Sequence, residues 1–269
     1  MDGEHLIYLY CVMARPPDLQ SVEGPPGGLY LVHEVGLWAV VSQVEASQFG
    51  PSSLRRNLED LDWVVAETTK HEKIVEAVMR DRCVVPFRFA TLFHTDESLR
   101  TRLRTHAQEF MTLLEELEDK AEWGVKVHCD VEGLRSVVRA QDGSMSHLNE
   151  ALRCASPGKA YFLEKKRGDL AIAALGDRID RCVGRVVETL QTVSFQMRIN
   201  KVWFPRATRI HDSMILNAAC LVGNDNVRIF VDAANALKAH YADQSVLVEY
   251  TGPWPPYNFC DLARQVANG

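Results

Sequence analysis

The residues of this 269-residue chain whose types could do chemistry are few, and each falls short of a complete constellation. His71-Glu72 sits in a helical pattern and begins like a zinc-protease motif. That motif needs a second His four residues after the first, and position 75 is Val, so an exposed or interdomain polar pair is the expected reading. Pro157-Gly158-Lys159-Ala160 has the look of a phosphate loop, but Arg153 stands where Gly is required and Ala160 where Ser or Thr is required. Lys165-Lys166-Arg167 reads as a solvated basic face. The nine histidines show no i, i+4 pairing, and no Ser or Cys lies in a nucleophile elbow. No catalytic residue, metal ligand or cofactor is therefore assigned.

Two segments point to binding. In Pro86-Phe87-Arg88-Phe89-Ala90-Thr91 a guanidinium lies in an apolar run. A buried Arg88 must find carboxylates or carbonyls, because an unpaired buried charge is strongly destabilising; it is read as a structural tie or as a polar anchor for a partner. Near the C-terminus, Thr251-Gly252-Pro253-Trp254-Pro255-Pro256-Tyr257-Asn258-Phe259 follows an apolar strand pattern. Its three prolines remove backbone donors and fix φ, so it should form a stiff rod that neither extends a sheet nor enters a helix. Trp254, Tyr257 and Phe259 either fold back over an open edge or face a partner as aromatic anchors.

The elements that must position these residues are legible as periodicity. Leu6 to Val12 is a strand, followed by a Pro/Gly loop and two apolar runs, Leu29 to Val35 and Leu37 to Val44, hinged at Gly36 as a hairpin. Leu58, Leu61, Val64, Val65, Ile74, Val75 and Val78 predict one apolar helix face, and Cys83 to Pro86 the next strand. Thr95-Asp96-Glu97 starts a helix whose stripe is Leu99, Leu103, Ala107, Phe110, Leu114 and Leu117. Trp123 to Cys129 alternates as a strand. Lys159 to about Met197 is helical, with Phe162, Leu163, Leu170, Ile179, Cys182, Val183, Val186 and Leu190 on its apolar face. Met214 to Val222 and Ser245 to Tyr250 are strands around a Val227 to Tyr241 helix, with a further strand placed at Val202 to Ala207. The second half thus approaches a βαββαβ plan. The expectation is an α+β chain of two domains, 1–120 and 121–269.

A net charge of −6 argues against a nucleic-acid role. No apolar run reaches the roughly 20 residues needed to span a bilayer, and the acidic start Met1-Asp2-Gly3-Glu4 is unlike a signal peptide. Seven scattered cysteines fit small buried groups in a reducing cytoplasm.

The closing motif, Thr251 to Phe259, resembles that of the gas vesicle protein F/L (GvpF/GvpL) family. Leu6-Ile7-Tyr8-Leu9-Tyr10, His71-Glu72 with Val84 to Phe93, Glu122 to Val127, and Ala160 to Lys166 are similar to its other landmarks in order. Ala90 stands where the family usually has Gly, Phe87 where Leu is common, and Asn258 replaces a frequent Ser. The resemblance implies a modified ferredoxin-like N-terminal domain and a ferredoxin-related C-terminal domain with additional long helices. It also implies a non-enzymatic accessory protein of gas vesicle assembly. Such a protein would be cytoplasmic, vesicle-associated, and bound to the hydrophobic shell protein and to other accessory proteins, with self-association left open. Arg88, Trp254, Tyr257 and Phe259 are the partner-binding candidates. The alternatives are a ferredoxin-like or dimeric α/β-barrel enzyme, holding haem on a lone histidine, and a small-molecule-binding regulatory module.

Overall fold

The computed structural model describes residues 5–141, 150–202 and 213–267. The chain divides into two compact units: Met1–Glu122 with Pro253–Gly269, and Trp123–Gly252. Residues 253–269 thus return to the first unit.

In unit 1 the strands are β1 (His5–Met13), β2 (Tyr30–Glu34), β3 (Leu37–Glu45), β4 (Val85–Pro86) and β5 (Leu92–Phe93). Their order is β2-β3-β1-β4, with β5 also pairing β1, and all pairs are antiparallel. Numbered along the chain this is 2-3-1-4, the strand order of a βαββαβ ferredoxin-like sheet. The modification lies in the first crossover. Residues 14–29 carry the Pro/Gly stretch and only a single 3-10 turn, Leu19–Ser21, where that plan has a helix. The second crossover carries the helix Leu61–Met79. The β2–β3 turn follows from Val35-Gly36, both at positive φ (43° and 80°), the left-handed pair that a two-residue hairpin loop requires. Every residue from Leu6 to Met13 is buried, the pattern of a strand covered on both faces.

Three expectations change here. Leu58, Leu61 and Val65 are exposed, and only the later part of the predicted stripe, Ile74, Val75 and Val78, enters the core. The first turns of Leu61–Met79 therefore carry apolar residues that nothing in their unit covers. The predicted 95–120 helix is two helices, Asp96–Thr105 and Ala107–Leu117, broken at His106, which leaves the α region (φ −111°, ψ 19°) to cap both. Its start is the predicted Thr95, in a reciprocal capping box with Ser98. The predicted 83–86 strand shrinks to two residues, and β5 had no periodic signal to announce it.

Unit 2 holds β6 (Lys120–Cys129), β7 (Gln196–Ile199), β8 (Ser213–Gly223) and β9 (Val246–Trp254), ordered β7-β8-β6-β9. This again is 2-3-1-4 in chain order. The helix Pro157–Val193 lies in the first crossover, after the helix Val131–Gln141, and Val227–Tyr241 forms the second. The core joins Val125 and Val127 of β6, Leu216 and Cys220 of β8, Val248 of β9, Cys182, Val186 and Leu190 of the long helix, and Phe230 and Leu237. A 37-residue helix spans about 55 Å, whereas the longest strand, at 11 residues, covers about 37 Å. The helix outruns its sheet. Phe162, Leu170, Ile172 and Tyr161 are consequently exposed, against the expectation for Phe162 and Leu170, and burial begins at Leu175. The strand placed at Val202 to Ala207 falls almost wholly outside the described residues. The observed strand before β8 is β7, in the last turn of the predicted helix.

Candidate functional site

Among the described residues, the most organised polar cluster lies in unit 1, around His71. On the helix Leu61–Met79, His71 precedes Ile74, Val75 and Val78 at i, i+3, i+4 and i+7, so it occupies the inward stripe. It is 2% exposed. Of the expected exposed or interdomain pair, the exposed alternative is therefore corrected: the helix that buries the valines must bury this imidazole too.

β1 supplies Tyr8 and Tyr10, two residues apart and so on one face. Tyr10 stacks on the imidazole at 5.5 Å between centroids, and Tyr8 lies 4.7 Å from Tyr10. The Tyr8 hydroxyl is 3.0 Å from His71 Nδ1, and Nε2 is 3.0 Å from the Phe87 carbonyl and 3.1 Å from the Tyr257 hydroxyl. The carbonyl can only accept, so Nε2 carries the proton and Nδ1 accepts from Tyr8. The Tyr8 oxygen in turn accepts from the Ala90 amide at 2.9 Å. Tyr257 accepts from Nε2–H and donates to Glu72. One directional chain runs from the Ala90 amide through Tyr8, His71 and Tyr257 to the Glu72 carboxylate.

Burial sets the electrostatics. Desolvation lowers the His71 pKa to about 4, against a smaller raising effect of the Phe87 carbonyl, so the ring is neutral near pH 7. Desolvation also raises Glu72, opposed by the hydrogen bond from Tyr257. Tyr257 is raised by burial and then by Glu72, and Tyr8 by burial. Both imidazole nitrogens are engaged, which leaves no position on His71 for a metal or a substrate. Among the described residues, no group of three His, Cys, Asp or Glu is placed to hold a metal ion.

The C-terminal segment closes this cluster as a strap. β9 runs on through Pro253 to Trp254, so the strand continues further than the prolines suggested. It is the outermost strand of its sheet, where a missing donor is tolerated. Pro255 and Pro256 are buried; Tyr257 N bonds Pro255 O (2.8 Å) in a tight turn, and Tyr257–Phe259 form a 3-10 turn closed by Phe259 N to Pro256 O (3.0 Å). Asn258 donates its amide and its Nδ2 to the buried Glu122, at 2.8 and 2.6 Å. Phe259 and Cys260 are buried beyond it.

The four predicted site residues separate into two pairs. Tyr257 and Phe259 turn inward; Trp254 is 40% exposed and Arg88 is exposed. Arg88 escapes the burial expected of it because Phe87 takes the inward position. Its guanidinium has no hydrogen bond or ion pair among the described residues, while its carbonyl accepts from Thr91 N and Oγ1. Glu72 was noted only as the neighbour of His71, and Tyr8, Tyr10 and Glu122 only as parts of family landmarks; none was given a site role from sequence. The i, i+2 tyrosines and the stripe position of His71 were the available signals. Among the described residues, no strand lies between β6 and the helix Pro157–Val193, so the phosphate-loop motif also lacks the strand that should precede it.

This geometry defines a two-unit α+β protein whose principal polar site is a saturated structural clamp. A family model for "Gas vesicle synthesis protein GvpL/GvpF" matches residues 6–261. Gas vesicle protein L of Streptomyces sp. (strain CB03234) is 28% identical over 98% of this chain and 96% of its own. Gas vesicle protein F of Haloferax mediterranei is 24% identical over 95% and 93%. The crystal structure of GvpF from Anabaena sp. PCC7120 shares the fold, with a TM-score of 0.70 at 20% identity over 95% of this chain and 96% of that one. GvpF from Microcystis aeruginosa superposes with a TM-score of 0.69 at 17% identity, over 95% and 98%. The chain belongs to the GvpL/GvpF family, which gives it an accessory role in gas vesicle formation.

Proposed function

We propose that this protein is a non-catalytic assembly factor that binds the hydrophobic shell protein of the gas vesicle, together with other accessory proteins, in the cytoplasm at the growing vesicle. The observation that carries the reading is the presentation of Trp254. This large aromatic is 40% exposed at the end of an outermost strand. The residues that follow it are immobilised by buried prolines and by the clamp on His71 and Glu122. A fixed aromatic anchor loses little conformational entropy on binding. An outer strand beside it can accept an added strand, and an amphipathic helix can lay its apolar face against the ring. Arg88 is a cation free to meet a carboxylate or helix C-terminus of the partner. Tyr257 and Phe259 act indirectly, by holding the strap.

The test is capture of purified shell protein by the tagged full chain, comparing wild type with Trp254→Ala and Arg88→Ala. Capture is expected to fall at least fivefold for Trp254→Ala with the fold intact by circular dichroism. Undiminished capture by both folded variants would remove this surface, and no capture by wild type would remove the shell protein as partner.

A further inference from the structure

We propose a second interaction, independent of shell binding: copies of this chain associate head to tail through two exposed patches of opposite charge. The first is in unit 1, where Leu61 (74% exposed) and Val65 lie one turn apart on the helix Leu61–Met79, with the exposed Leu58 just before them. Glu59, Asp60 and Asp62 surround Leu61 and are exposed, and none has an ion-pair partner among the described residues. The second is in unit 2, on the part of the helix Pro157–Val193 that outruns its sheet. Tyr161 and Phe162 (71% exposed) pack edge to face at 5.9 Å. Lys159, Lys165 and Lys166 flank them, exposed and likewise without ion pairs among the described residues.

Each patch is an apolar centre whose surrounding charge is mostly of one sign, the layout of a small docking surface. Both are solvent-exposed in their own chain, so neither is satisfied there. Pairing the first patch with its own kind would bring together six carboxylates and four arginines, and pairing the second with its own kind six lysines and four acids, so each self-pairing leaves an excess of like charge that disfavours it. Pairing the first patch with the second seats the leucines on the aromatic pair and gives each lysine a carboxylate. The minority charges agree as well, because Arg55 and Arg56 adjoin the first patch and Glu164 and Asp169 the second. Lysine stems can lie along the apolar centre while their heads reach the acids. Such a contact is heterologous, so it leaves one free patch of each kind and propagates into a ring or a row.

Sedimentation of the full chain tests this. Wild type is expected to form concentration-dependent species above the monomer at about 50 mM salt, weakened roughly tenfold at about 500 mM. E59K/D62K and K165E/K166E each change exposed residues and are each expected to stay monomeric. Mixed together they restore the contact, because the unaltered basic patch of the first meets the unaltered acidic patch of the second, and the two reversed patches are complementary as well. Phe162→Ser, which keeps all charges, should also weaken association at least fivefold. A wild type that is monomeric throughout, charge variants that associate like wild type, or a mixture that stays monomeric would each overturn the inference.

Discussion

Replacing Tyr257 by Phe removes one oxygen and keeps the ring, so it isolates what the hydroxyl does in the clamp. In the wild type that oxygen accepts from His71 Nε2 at 3.1 Å and donates to Glu72. The imidazole keeps its second acceptor, the Phe87 carbonyl at 3.0 Å, so little is lost on that side. Glu72 loses a donor while half-buried. A hydrogen bond to a charged group is worth about 1.5–3 kcal/mol when buried, and water reaching a half-buried carboxylate recovers part of it. The expected loss is about 1–2 kcal/mol. With an m-value of about 3 kcal/mol/M, the urea midpoint should fall by about 0.3–0.7 M. Since the Tyr257 hydroxyl holds the Glu72 pKa down against burial, that pKa should rise further in the variant. A double-mutant cycle with Glu72→Gln should show a coupling of about 1 kcal/mol. Hydrogen exchange adds a local readout: the amides of Asn258 and Phe259, bonded to Glu122 and to the Pro256 carbonyl, should exchange up to tenfold faster. A midpoint shift below 0.1 M with additive single-variant effects would show that the Tyr257 hydroxyl does not help to hold the strap, and the argument for the His71–Tyr257–Glu72 clamp would fail.

Acid should destabilise the protein through His71. The folded pKa of about 4 lies below the ordinary 6.5, so the unfolded chain takes up the proton first. That stability is complete above pH 6.5 and is lost as pH falls from there toward 4, by up to about 3 kcal/mol. Glu72, with its raised pKa, works in the opposite direction and relieves part of the loss as it protonates. Urea titrations of wild type and His71→Gln across this window should show a shallower slope for the variant, and equal slopes would contradict the assignment. Ala90 sits at φ 59°, a left-handed conformation costing an L residue about 1–2 kcal/mol. After the extra unfolded-state entropy of glycine is subtracted, Ala90→Gly should stabilise by about 0.5–1 kcal/mol, visible as a rise of roughly 1–4 °C in Tm. Phe259→Ala should cost about 3–5 kcal/mol because the ring is buried. Trp254→Ala, more exposed, should cost less than half as much in the same thermal melts.

The fold was legible where one periodicity ran through a whole element. The hairpin at Gly36, the helix Val227–Tyr241 and the strands around it follow from alternation or from a 3.6-residue stripe that burial enforces. What failed were inferences about how far a pattern reaches into the core. Leu61 and Val65 continue the spacing of Ile74 and Val75, and Tyr161 and Phe162 lie on the same helix as Leu175, yet all four are exposed. Periodicity reports that a helix is amphipathic; only the extent of the opposing sheet decides where its apolar face stops being covered. His71 illustrates the converse. Its polarity suggested an exposed or interdomain pair, but the i, i+3, i+4, i+7 spacing to Ile74, Val75 and Val78 already fixed its direction. Its partners could not be read locally, because Tyr8 is 63 residues away and Tyr257 is 186 residues away.

The recognisable C-terminal motif is a set of residues with separate tasks, and burial tells them apart. Pro253 is tolerated because β9 is outermost, and Trp254 stays outside. Pro255 and Pro256 are buried and end the strand, and the turn they begin delivers Tyr257 to His71, Asn258 to Glu122 and Phe259 to the core. Exchanging Trp254 and Tyr257 would keep the composition of the motif but put an indole N–H, which can only donate, where the Tyr257 hydroxyl both accepts from His71 Nε2–H and donates to Glu72. It is this one-to-one matching of side chain to partner, more than stiffness, that explains why the segment reads so specifically. It also divides the four candidate residues by exposure: Trp254 and Arg88 are exposed, whereas Tyr257 and Phe259 turn inward and, under the proposed binding, would act only by keeping the strap in place.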